Sequence, residues 1–495
     1  MLENSEIKVS IEKMLIGYDN NGLVFDKGDC VIRKITPIYM KKIEDIYSFY
    51  KKNCRNDFGF VETILNTSAQ ELIHKKYLIT YPYEWTANMF KDALLFHLDL
   101  FLRLDDYGYI LKDAIPTNIL FNGTKPVFVD FLSIINQENL KDGKWLFDID
   151  TKRIDPRINI IEKMLVPYFI IPFLTFADHK YEEARFMLKE RTCNNIEGID
   201  LHWNDILPPK NLLQKMKEKI FGRKDCNRCE AIKRLIESEK DFKVLCEKLL
   251  KCIEEIPVTP ENSGYLSYYS SKGEDFSLSD RKAWLPKQKI VCEAIEKFKP
   301  KTVLDLGANT GWFSLMAAQM GAHVVAVEID ESCVDNLYLH SKERKLNITP
   351  LQLAFEDLEK SYFGARYDDE AYKNRDFGNN PLFEAPVNRL KCDMTLCLAL
   401  VHHLVLGIGI SIAEVMRILA QITMKVLVLE VVTLDDELIV AEKKSKDSSF
   451  FRNIEDFSEN NYSIDVFIKE GRNYFQNFSV YSSHPDSRKI IVFEK

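Results

Sequence analysis

The stretch Val303–Gly311, VLDLGANTG, constrains the fold more than any other part of the chain. It follows a helix-like segment, Lys287–Phe298, and leads through WFSLMAAQMGA into the apolar run Val324–Val327, which ends at Glu328. This order predicts a buried strand, a glycine turn, a helix packed by small residues and a second strand with a carboxylate at its tip. The C-terminal half is therefore predicted to contain a nucleoside-binding βαβ unit of an α/β domain.

Glycines and carboxylates in this unit indicate the kind of ligand. Gly307 and Gly311 lack Cβ atoms, so the loop can turn sharply and a ligand can approach main-chain N–H groups at the helix start. Glu328 lies seventeen residues after Gly311, which suits a carboxylate that accepts hydrogen bonds from ribose hydroxyls. A nicotinamide-type loop reads GxGxxG, whereas this loop reads DxGxxxG. Asp305 would repel a pyrophosphate and attract a cation, so a cationic nucleoside is favoured as the ligand. An incidental strand-turn-helix is disfavoured because the loop, the helix of small residues and the acidic strand tip occur together.

These residues resemble the first motif of the class I S-adenosylmethionine (SAM) methyltransferases. The resemblance implies SAM as the cofactor and a Rossmann-like sheet in this half of the chain. It also implies an acidic residue near the end of the third strand, where Asp357 would meet the adenine amino group. Ala354 departs from the pattern, because relatives tend to have an acid there. The implied cofactor-binding residues are Asp305, Gly307, Asn309, Gly311, Glu328 and Asp357.

Length and composition set the outer limits. A chain of 495 residues predicts two or more domains, and a net charge of −8 argues against a general polyanion binder. The N-terminus lacks a signal-peptide pattern, so a cytoplasmic location is predicted, and the eleven cysteines are expected to be thiols. The apolar segment Met164–Ala177 is too short for a membrane span and contains two prolines, so a buried core helix is predicted. Cys226 and Cys229 form a lone CxxC without companion ligands, and no metal site is predicted.

Further strands are predicted along the C-terminal half. The third is predicted at Pro350–Phe355, the fourth at Asp393–Leu404 and the fifth at Val426–Val432. Alternating residues in Ser479–Glu494, around a His484–Pro485 turn, are predicted to complete the sheet. The segment Ser361–Leu390 is interpreted as an insertion over the site, with a solvated loop as the equal alternative.

A pair of histidines ends the predicted fourth strand. Because the methyl group lies beside this strand in the family, His402 or His403 is predicted to lie near the acceptor and to remove its proton. Adjacent residues point to different sides, so at least one of the two is expected to face the core. Glu430, Asp435 and Asp436 place acids at and beyond the end of the fifth strand.

The N-terminal half is predicted to be a small sheet with a helical lobe. Residues 20–35 alternate and turn at glycines, as in a β-meander, and Pro37–Tyr50 is predicted to be helical. Asn88–Leu104 has the pattern of a long amphipathic helix, and residues 140–255 are mainly helical in pattern. A segment rich in Ser, Pro, Gly and Tyr follows, so the domains are predicted at 1–257 and 258–495.

A second motif, LKDAIPTNILFNGTKPVFVDF, resembles the catalytic and metal-binding loops of protein-kinase-like phosphotransferases. By that resemblance Asp113 would be the base, and Asn118 and Asp130 would hold Mg²⁺ on ATP. The usual residues before Asp113 are absent, no GxGxxG loop precedes the sheet, and Phe-Leu follows Asp130. Arg33 or Lys34 is the candidate for the phosphate-pairing lysine. A kinase-shaped scaffold is therefore favoured over active phosphoryl transfer.

Together, YPYEW, the LKDAxxxN motif, VLDLGANTG, LALVHHL and LEVVTLDD resemble a bacterial family of SAM-dependent methyltransferases that includes nodulation proteins of the NoeA type. That resemblance implies methylation of an oxygen or nitrogen, with a link to cell-surface saccharides. The acceptor is predicted to be a polar small molecule or a glycan intermediate, held between the histidines, the acids after the fifth strand and the segments Tyr265–Tyr269 and Tyr362–Tyr372. Nucleic acid is not favoured as a partner, since the chain has no basic run. A bifunctional methyltransferase-phosphotransferase, an RNA or protein methyltransferase, and a non-enzymatic SAM-fold protein are the alternatives.

Overall fold

The computed structural model describes residues 13–15, 22–54, 58–138, 155–194, 228–259, 263–267, 281–362, 383–444, 451 and 453–495. The N-terminal half begins with an antiparallel sheet and one helix. Its strands are β1 (Lys13–Leu15), β2 (Gly22–Asp26), β3 (Cys30–Ile35), β4 (Thr63–Asn66) and β5 (Glu71–Lys75), and helix α1 is Met40–Phe49. The sheet order is β1-β2-β3-β5-β4, with α1 in the connection from β3 to β4. The predicted β-meander and the helix after it are confirmed.

The described residues in the rest of this half form helices and two short antiparallel strand pairs. These elements are α2 (Ala87–Asp105), β6 (Tyr109–Leu111), β7 (Ile119–Asn122), β8 (Lys125–Phe128), β9 (Ile134–Asn136), α3 (Ile158–Ala177), α4 (Tyr181–Asn194), α5 (Arg228–Ser238) and α6 (Phe242–Glu255). Strand β6 pairs with β9, and β7 pairs with β8. Thr86 caps α2 by accepting the N–H of Met89. A five-stranded sheet with one helix, followed by a helix and two strand pairs, confirms the predicted α+β architecture, and its likeness to protein kinases stays a prediction.

Helix α3 contains the apolar segment that the sequence predicts to be a core helix. In the described part of the chain it is the one helix long and apolar enough to cross a membrane, a test that core helices also pass. Within this helix, 67% of the most apolar 18-residue stretch is buried inside the fold. Pro167 lies within it and removes one backbone donor, and the chain forms wider π-type turns over Ile161–Ile170. The burial agrees with a core helix.

The C-terminal half is a seven-stranded sheet flanked by helices. Its strands are β10 (Thr302–Leu306), β11 (His323–Glu328), β12 (Ile348–Gln352), β13 (Cys392–Cys397), β14 (Thr423–Val432), β15 (Asn477–Ser482) and β16 (Arg488–Glu494). Its helices are α7 (Pro286–Phe298), α8 (Trp312–Gln319), α9 (Glu331–Arg344), α10 (Pro386–Arg389), α11 (Ile412–Ile422), α12 (Glu437–Lys444) and α13 (Ile464–Gly471).

The order of these strands is β12-β11-β10-β13-β14-β16-β15. Strands β10 to β14 are parallel, and β16 lies antiparallel between β14 and β15. The central strands β10 and β13 are covered by helices on both faces, which explains their unbroken apolar sequences. The predicted Rossmann-like class I methyltransferase sheet is confirmed.

Three predicted boundaries are corrected. Strand β12 starts at Ile348 and ends at Gln352, so residues 353–355 lie beyond the strand. Strand β13 ends at Cys397, because Ala399 adopts a positive φ of 50° and turns the chain into a helical segment. Helix α7 begins at Pro286, where a fixed φ suits the first helical position, one residue before the predicted start at Lys287.

The hydrophobic core crosses between the halves. One cluster of buried side chains includes Phe90 and Phe121 of the N-terminal half and Tyr338 and Leu351 of the C-terminal half. The other face of the C-terminal sheet has its own cluster around Trp312. The two halves are thus packed together, and the predicted boundary at 257/258 stays a prediction.

Candidate cofactor and acceptor sites

The loop after β10 has the backbone conformation that its glycines allow. Gly307, Asn309 and Gly311 have φ angles of 71°, 53° and 85°, a region that favours glycine and tolerates asparagine. The N–H groups of Gly307 and Ala308 both donate to the carbonyl of Val327, at 2.9 and 3.1 Å. These bonds tie the loop to the end of β11 and fix its position at the carboxyl edge of the sheet.

Close packing explains why the last glycine of the loop has no side chain. Gly311 is the N-cap of α8, and a Cβ atom there would overlap Leu337 of α9. At Gly307 a Cβ would lie 3.4 Å from Leu400, which follows β13. The loop is therefore held between the segment after β13 and helix α9.

Glu328 is the carboxylate nearest to this loop. It accepts the backbone N–H groups of Asn309 at 2.9 Å, Ile329 at 2.7 Å and Asp330 at 3.0 Å. Burial raises the pKa of Glu328, and these three hydrogen bonds act in the opposite direction. The bond from Asn309 joins two residues that the sequence places in one site. The position suits the predicted ribose contact, which stays a prediction.

A short tyrosine-containing segment lies beside the loop. The amide of Asn309 donates to the carbonyl of Tyr265 at 3.2 Å, and Glu328 is close enough to the Tyr265 ring to affect its ionisation. Burial and then that carboxylate raise the pKa of the phenol. Of the predicted acceptor segment Tyr265–Tyr269, residues 268 and 269 lie outside the described residues, and the described part contacts the cofactor loop.

Asp305 lies under the loop with its side chain in the interior. It is 2% exposed and accepts the hydroxyl of Ser314 on α8 at 2.7 Å. Burial raises the pKa of the carboxyl to about 6, against the opposing effects of Ser314 and the nearby Lys287. The two acids, Asp305 and Glu328, give this edge negative charge and fit a sulfonium nucleoside better than a pyrophosphate.

Asp357 lies in a single turn, Phe355–Asp357, that follows β12. It pairs with Lys360 at 2.8 Å, and about a third of its side chain is exposed. The turn lies at the same edge of the sheet as Glu328, because β11 and β12 are parallel neighbours. The adenine contact assigned to Asp357 stays a prediction.

The two histidines lie in the helical segment after β13. His402 is buried and His403 half-buried, and their ring centroids are 4.1 Å apart, with Phe451 within 6 Å of both. Burial, and next the neighbouring His403, lower the pKa of His402 well below its usual value, and burial also lowers the pKa of His403. No described residue reaches Nδ1 of His402 with a hydrogen bond. Because β13 is the neighbour of β10, both histidines follow a strand beside the cofactor loop.

Two acids, one inside β14 and one after it, have internal partners that the sequence did not reveal. Glu430 is fully buried and pairs with Lys287 at 2.7 Å. Asp436, also buried, pairs with Arg488 at 3.0 Å. These cations come from α7 and β16, so only the folded chain brings them to the acids. Glu430 and Asp436, which the sequence assigned to the acceptor pocket, are thus paired with cations, and the exposed Asp435 accepts the hydroxyl of Thr433.

Two features lie away from this edge. A cavity of about 610 Å³ is lined by residues that include Lys391, Arg417 and Lys495. Lys391 precedes β13, so this cavity is at the amino edge of the parallel strands and far from the loop. Of the CxxC pair, Cys226 lies outside the described residues, and burial raises the pKa of the Cys229 thiol to about 11. Among the residues that the structure describes, no three His, Cys, Asp or Glu side chains form a metal-binding group.

The kinase-like motif residues are brought together in the N-terminal half. The N–H of Asp113 donates to Ser133, three residues after Asp130, and the carbonyl of Asn118 accepts the N–H of Val129. Arg33 of β3 reaches over to Asp130, with 3.3 Å between guanidinium and carboxylate. Lys34 instead lies over the ring of Phe25. Of the two basic residues, Arg33 is the one that contacts the motif, and the assignment of either to the phosphates stays a prediction.

Comparison with known proteins agrees with this geometry. Residues 269–370 match the family described as tellurite resistance protein TehB. The chain is 26% identical over 380 residues to the nodulation protein NoeA of Rhizobium meliloti (strain 1021). The matched region covers 73% of this chain and 70% of that protein.

Solved structures resemble the chain more distantly. The bifunctional kinase-methyltransferase WbdD is 16% identical, with a TM-score of 0.29, over 49% of this chain and 44% of that one. A putative O-methyltransferase from Nostoc punctiforme is 14% identical, with a TM-score of 0.27, over 49% and 61%. The chain thus spans less than two thirds of either solved protein. With the family match, the strand order and the loop, the chain is a SAM-dependent methyltransferase.

Proposed function

We propose that this SAM-dependent methyltransferase acts in the cytoplasm and transfers a methyl group to an oxygen or nitrogen of a polar acceptor, a saccharide or glycan intermediate. The observation that carries the proposal is the position of His402 and His403. They follow β13, and Leu400 in the same segment packs against Gly307 of the cofactor loop. An acceptor beside these imidazoles would lie next to the nucleoside that Glu328 is proposed to hold.

The chain has three tasks in this reaction, since bound SAM supplies a methyl group that is already activated. It aligns the acceptor, excludes water and receives a proton. On methylation of its oxygen or nitrogen the acceptor would give up a proton, and Nδ1 of His402, which no described residue reaches with a hydrogen bond, would receive it. The lowered pKa of His402 keeps its imidazole neutral and able to accept that proton. It also makes His402 a weak base, so we assign most of the rate enhancement to alignment.

Charge and the relatives support the choice of acceptor. The chain has a net charge of −8, which does not favour nucleic acid. Phe451 places an aromatic ring beside both histidines, as suits the apolar face of a sugar ring. The similarity to a nodulation protein supports a saccharide over RNA or protein. RNA and protein acceptors are the runner-up.

Binding of S-adenosylhomocysteine, measured by calorimetry on the full chain, tests the cofactor part. Replacement of Glu328 by alanine removes charge-assisted hydrogen bonds to the ribose and should weaken binding at least about tenfold. Glu356→Ala is the matched control, because Glu356 is an exposed acid at the same edge of the sheet. Equal affinities for the wild type and Glu328→Ala would contradict the assignment.

The acceptor part is tested by transfer of a labelled methyl group. Nucleotide sugars, lipid-linked glycans, tRNA and peptides are offered in parallel to the wild-type chain and to His402→Gln. Label in a saccharide, reduced in the variant, is the expected result. Label confined to tRNA or peptide would overturn the saccharide proposal and leave the methyltransferase standing.

A second activity, phosphoryl transfer, is the other candidate for the N-terminal half. It is favoured by the convergence of Asp113, Asn118 and Asp130, and by the buried amide nitrogen of Asn118, which has no hydrogen-bond partner among the described residues. It is opposed by Arg33, whose guanidinium lies where Mg²⁺ would bind Asp130. Thermal-shift assays with millimolar Mg-ATP on the wild type and Asp113→Asn decide between an active phosphotransferase and a scaffold. If Mg-ATP does not stabilise the wild type, the N-terminal half is a scaffold without phosphoryl transfer.

A further inference from the structure

Helix α9 connects the proposed ribose site to the N-terminal half of the chain. It starts three residues after Glu328, and Asp330 caps it by accepting the N–H of Cys333 at 2.9 Å. Glu328 itself accepts the N–H groups of Ile329 and Asp330. The carboxylate of Glu328 is therefore hydrogen-bonded to the residues that lead directly into α9.

The first turn of α9 is in turn bound by the N-terminal half. The carboxylate of Glu331, the first residue of α9, accepts the backbone N–H of Ala87 at 3.0 Å and forms an ion pair with Arg185. Both charged side chains are largely buried, at 12% and 8% exposure. Arg185 comes from α4 and also donates to the carbonyl of Trp85, just before α2. One cation thus joins the start of α2 to the start of α9.

The same contact continues along one face of α9. Asp335, which is fully buried, accepts the backbone and side-chain N–H groups of Asn88 at 3.3 and 2.5 Å. About one and two turns further on, Tyr338 and Lys342 both donate to Asp92 of α2. Residues 331, 335, 338 and 342 recur at helical spacing, so a single face of α9 holds α2.

These bonds also satisfy groups that α2 leaves open. The first N–H groups of a helix have no partner within it and carry a partial positive charge. Ala87 and Asn88 are the first two residues of α2, and their N–H groups are accepted by Glu331 and Asp335. The start of α2 is thus capped by carboxylates from the other half of the chain. The opposite side of α9 presents Leu337 to Gly311 in the cofactor loop.

We propose that Arg185 and Asn88 are positioning residues for the cofactor, and that the N-terminal half fixes Glu328 at the ribose by holding α9. This inference rests on the proposed role of Glu328. It assigns the kinase-like half a task in methyl transfer that requires no nucleotide.

The test compares two ligands on the full-length chain. Calorimetry measures the affinity for S-adenosylhomocysteine and for its analogue with a 2′,3′-dideoxyribose, which lacks the hydroxyls that Glu328 would bind. In Arg185→Met, binding of S-adenosylhomocysteine should weaken roughly 5- to 150-fold, the usual range of coupling between sites. Binding of the dideoxy analogue should change far less, because that ligand does not use Glu328.

Controls separate positioning from a general loss of structure. Arg234→Met removes an arginine of the same half that pairs with Glu230 within its own helix, and should leave both affinities unchanged. If Arg185→Met fails to fold, Asn88→Ala supplies the same comparison through Asp335. Equal weakening of both ligands, or no weakening of either, would overturn this proposal. Failure of the wild type to bind S-adenosylhomocysteine would instead overturn the proposed function.

Discussion

Asp305→Asn is expected to make the chain more stable and to weaken its binding of SAM. The folded chain holds this carboxyl with a pKa of about 6 against an ordinary 3.8, because the group is buried. That difference corresponds to about 3 kcal/mol in favour of the protonated form. The folded chain therefore binds this proton more tightly than the unfolded chain, so the free energy of unfolding falls as pH rises from about 4 to about 6. Asparagine removes this loss and can still accept the hydroxyl of Ser314.

Urea unfolding at several pH values measures the effect. By the same linkage, Asp305→Asn should gain about 1.5 kcal/mol at pH 5 and about 3 kcal/mol at pH 8, less any cost of repacking the amide. Burial also raises the pKa of Asp335 to about 6. Its ionisation lowers the free energy of unfolding of the wild type and of the variant alike, so the difference between the two proteins isolates Asp305. A variant that is less stable than the wild type by the same amount at both pH values would refute the reasoning.

The same carboxyl should control the pH dependence of cofactor binding. A cationic ligand favours ionised Asp305, so wild-type affinity for SAM should rise as pH increases through about 6, whereas that of Asp305→Asn should not. Calorimetry at pH 5.5 and 7.5 checks this. A carboxyl that lowers stability and increases affinity would be an instance of the trade-off between stability and function.

Three further outcomes are expected. Arg389→Met should lose about 3–5 kcal/mol in urea unfolding, because it leaves Glu84 buried and unpaired, and Glu84→Gln in the same chain should restore much of the loss. Gly311→Ala should weaken binding of S-adenosylhomocysteine in calorimetry, whereas Gly321→Ala, with a similar φ but open space around it, should only lower stability. His402→Gln should reduce kcat about 100-fold or more with little change in SAM affinity, and the same change in the adjacent histidine should have a smaller effect.

Local patterns in the sequence predicted most of the fold. The runs that form β10 and β11 are apolar, bounded by glycines and separated by a helix of small residues, so few other structures fit them. The fourth strand was predicted too long, since its apolar run continues through Leu404. A strand buried on both faces and a buried helix have the same composition, and the turn depends on the positive φ of Ala399, which alanine does not signal.

The electrostatic partners in the sites could not be predicted. Glu430 and Lys287 are far apart in sequence, and each looks like an ordinary surface charge until the sheet brings them together. The sequence therefore assigned Glu430 to the acceptor, although its charge is compensated inside the protein. Likewise, β3 offered two basic residues, and only the register of the sheet shows that Arg33 reaches Asp130.

Two carboxylates, one at the end of a strand and one just beyond a strand, show how their partners affect their availability for a ligand. Asp130, after β8, has the guanidinium of Arg33 at 3.3 Å, so a metal ion must displace a fixed positive charge before it can bind there. Glu328, at the end of β11, is oriented by three neutral N–H groups, which leave its negative charge uncompensated. A ribose with two hydroxyl donors can bind such a carboxylate without displacing a cation. If this difference decides where ligands bind, Arg33→Met should increase the affinity of the N-terminal half for Mg-ATP, which thermal shift would detect. An unchanged response would mean that the missing glycine loop, and not Arg33, prevents nucleotide binding.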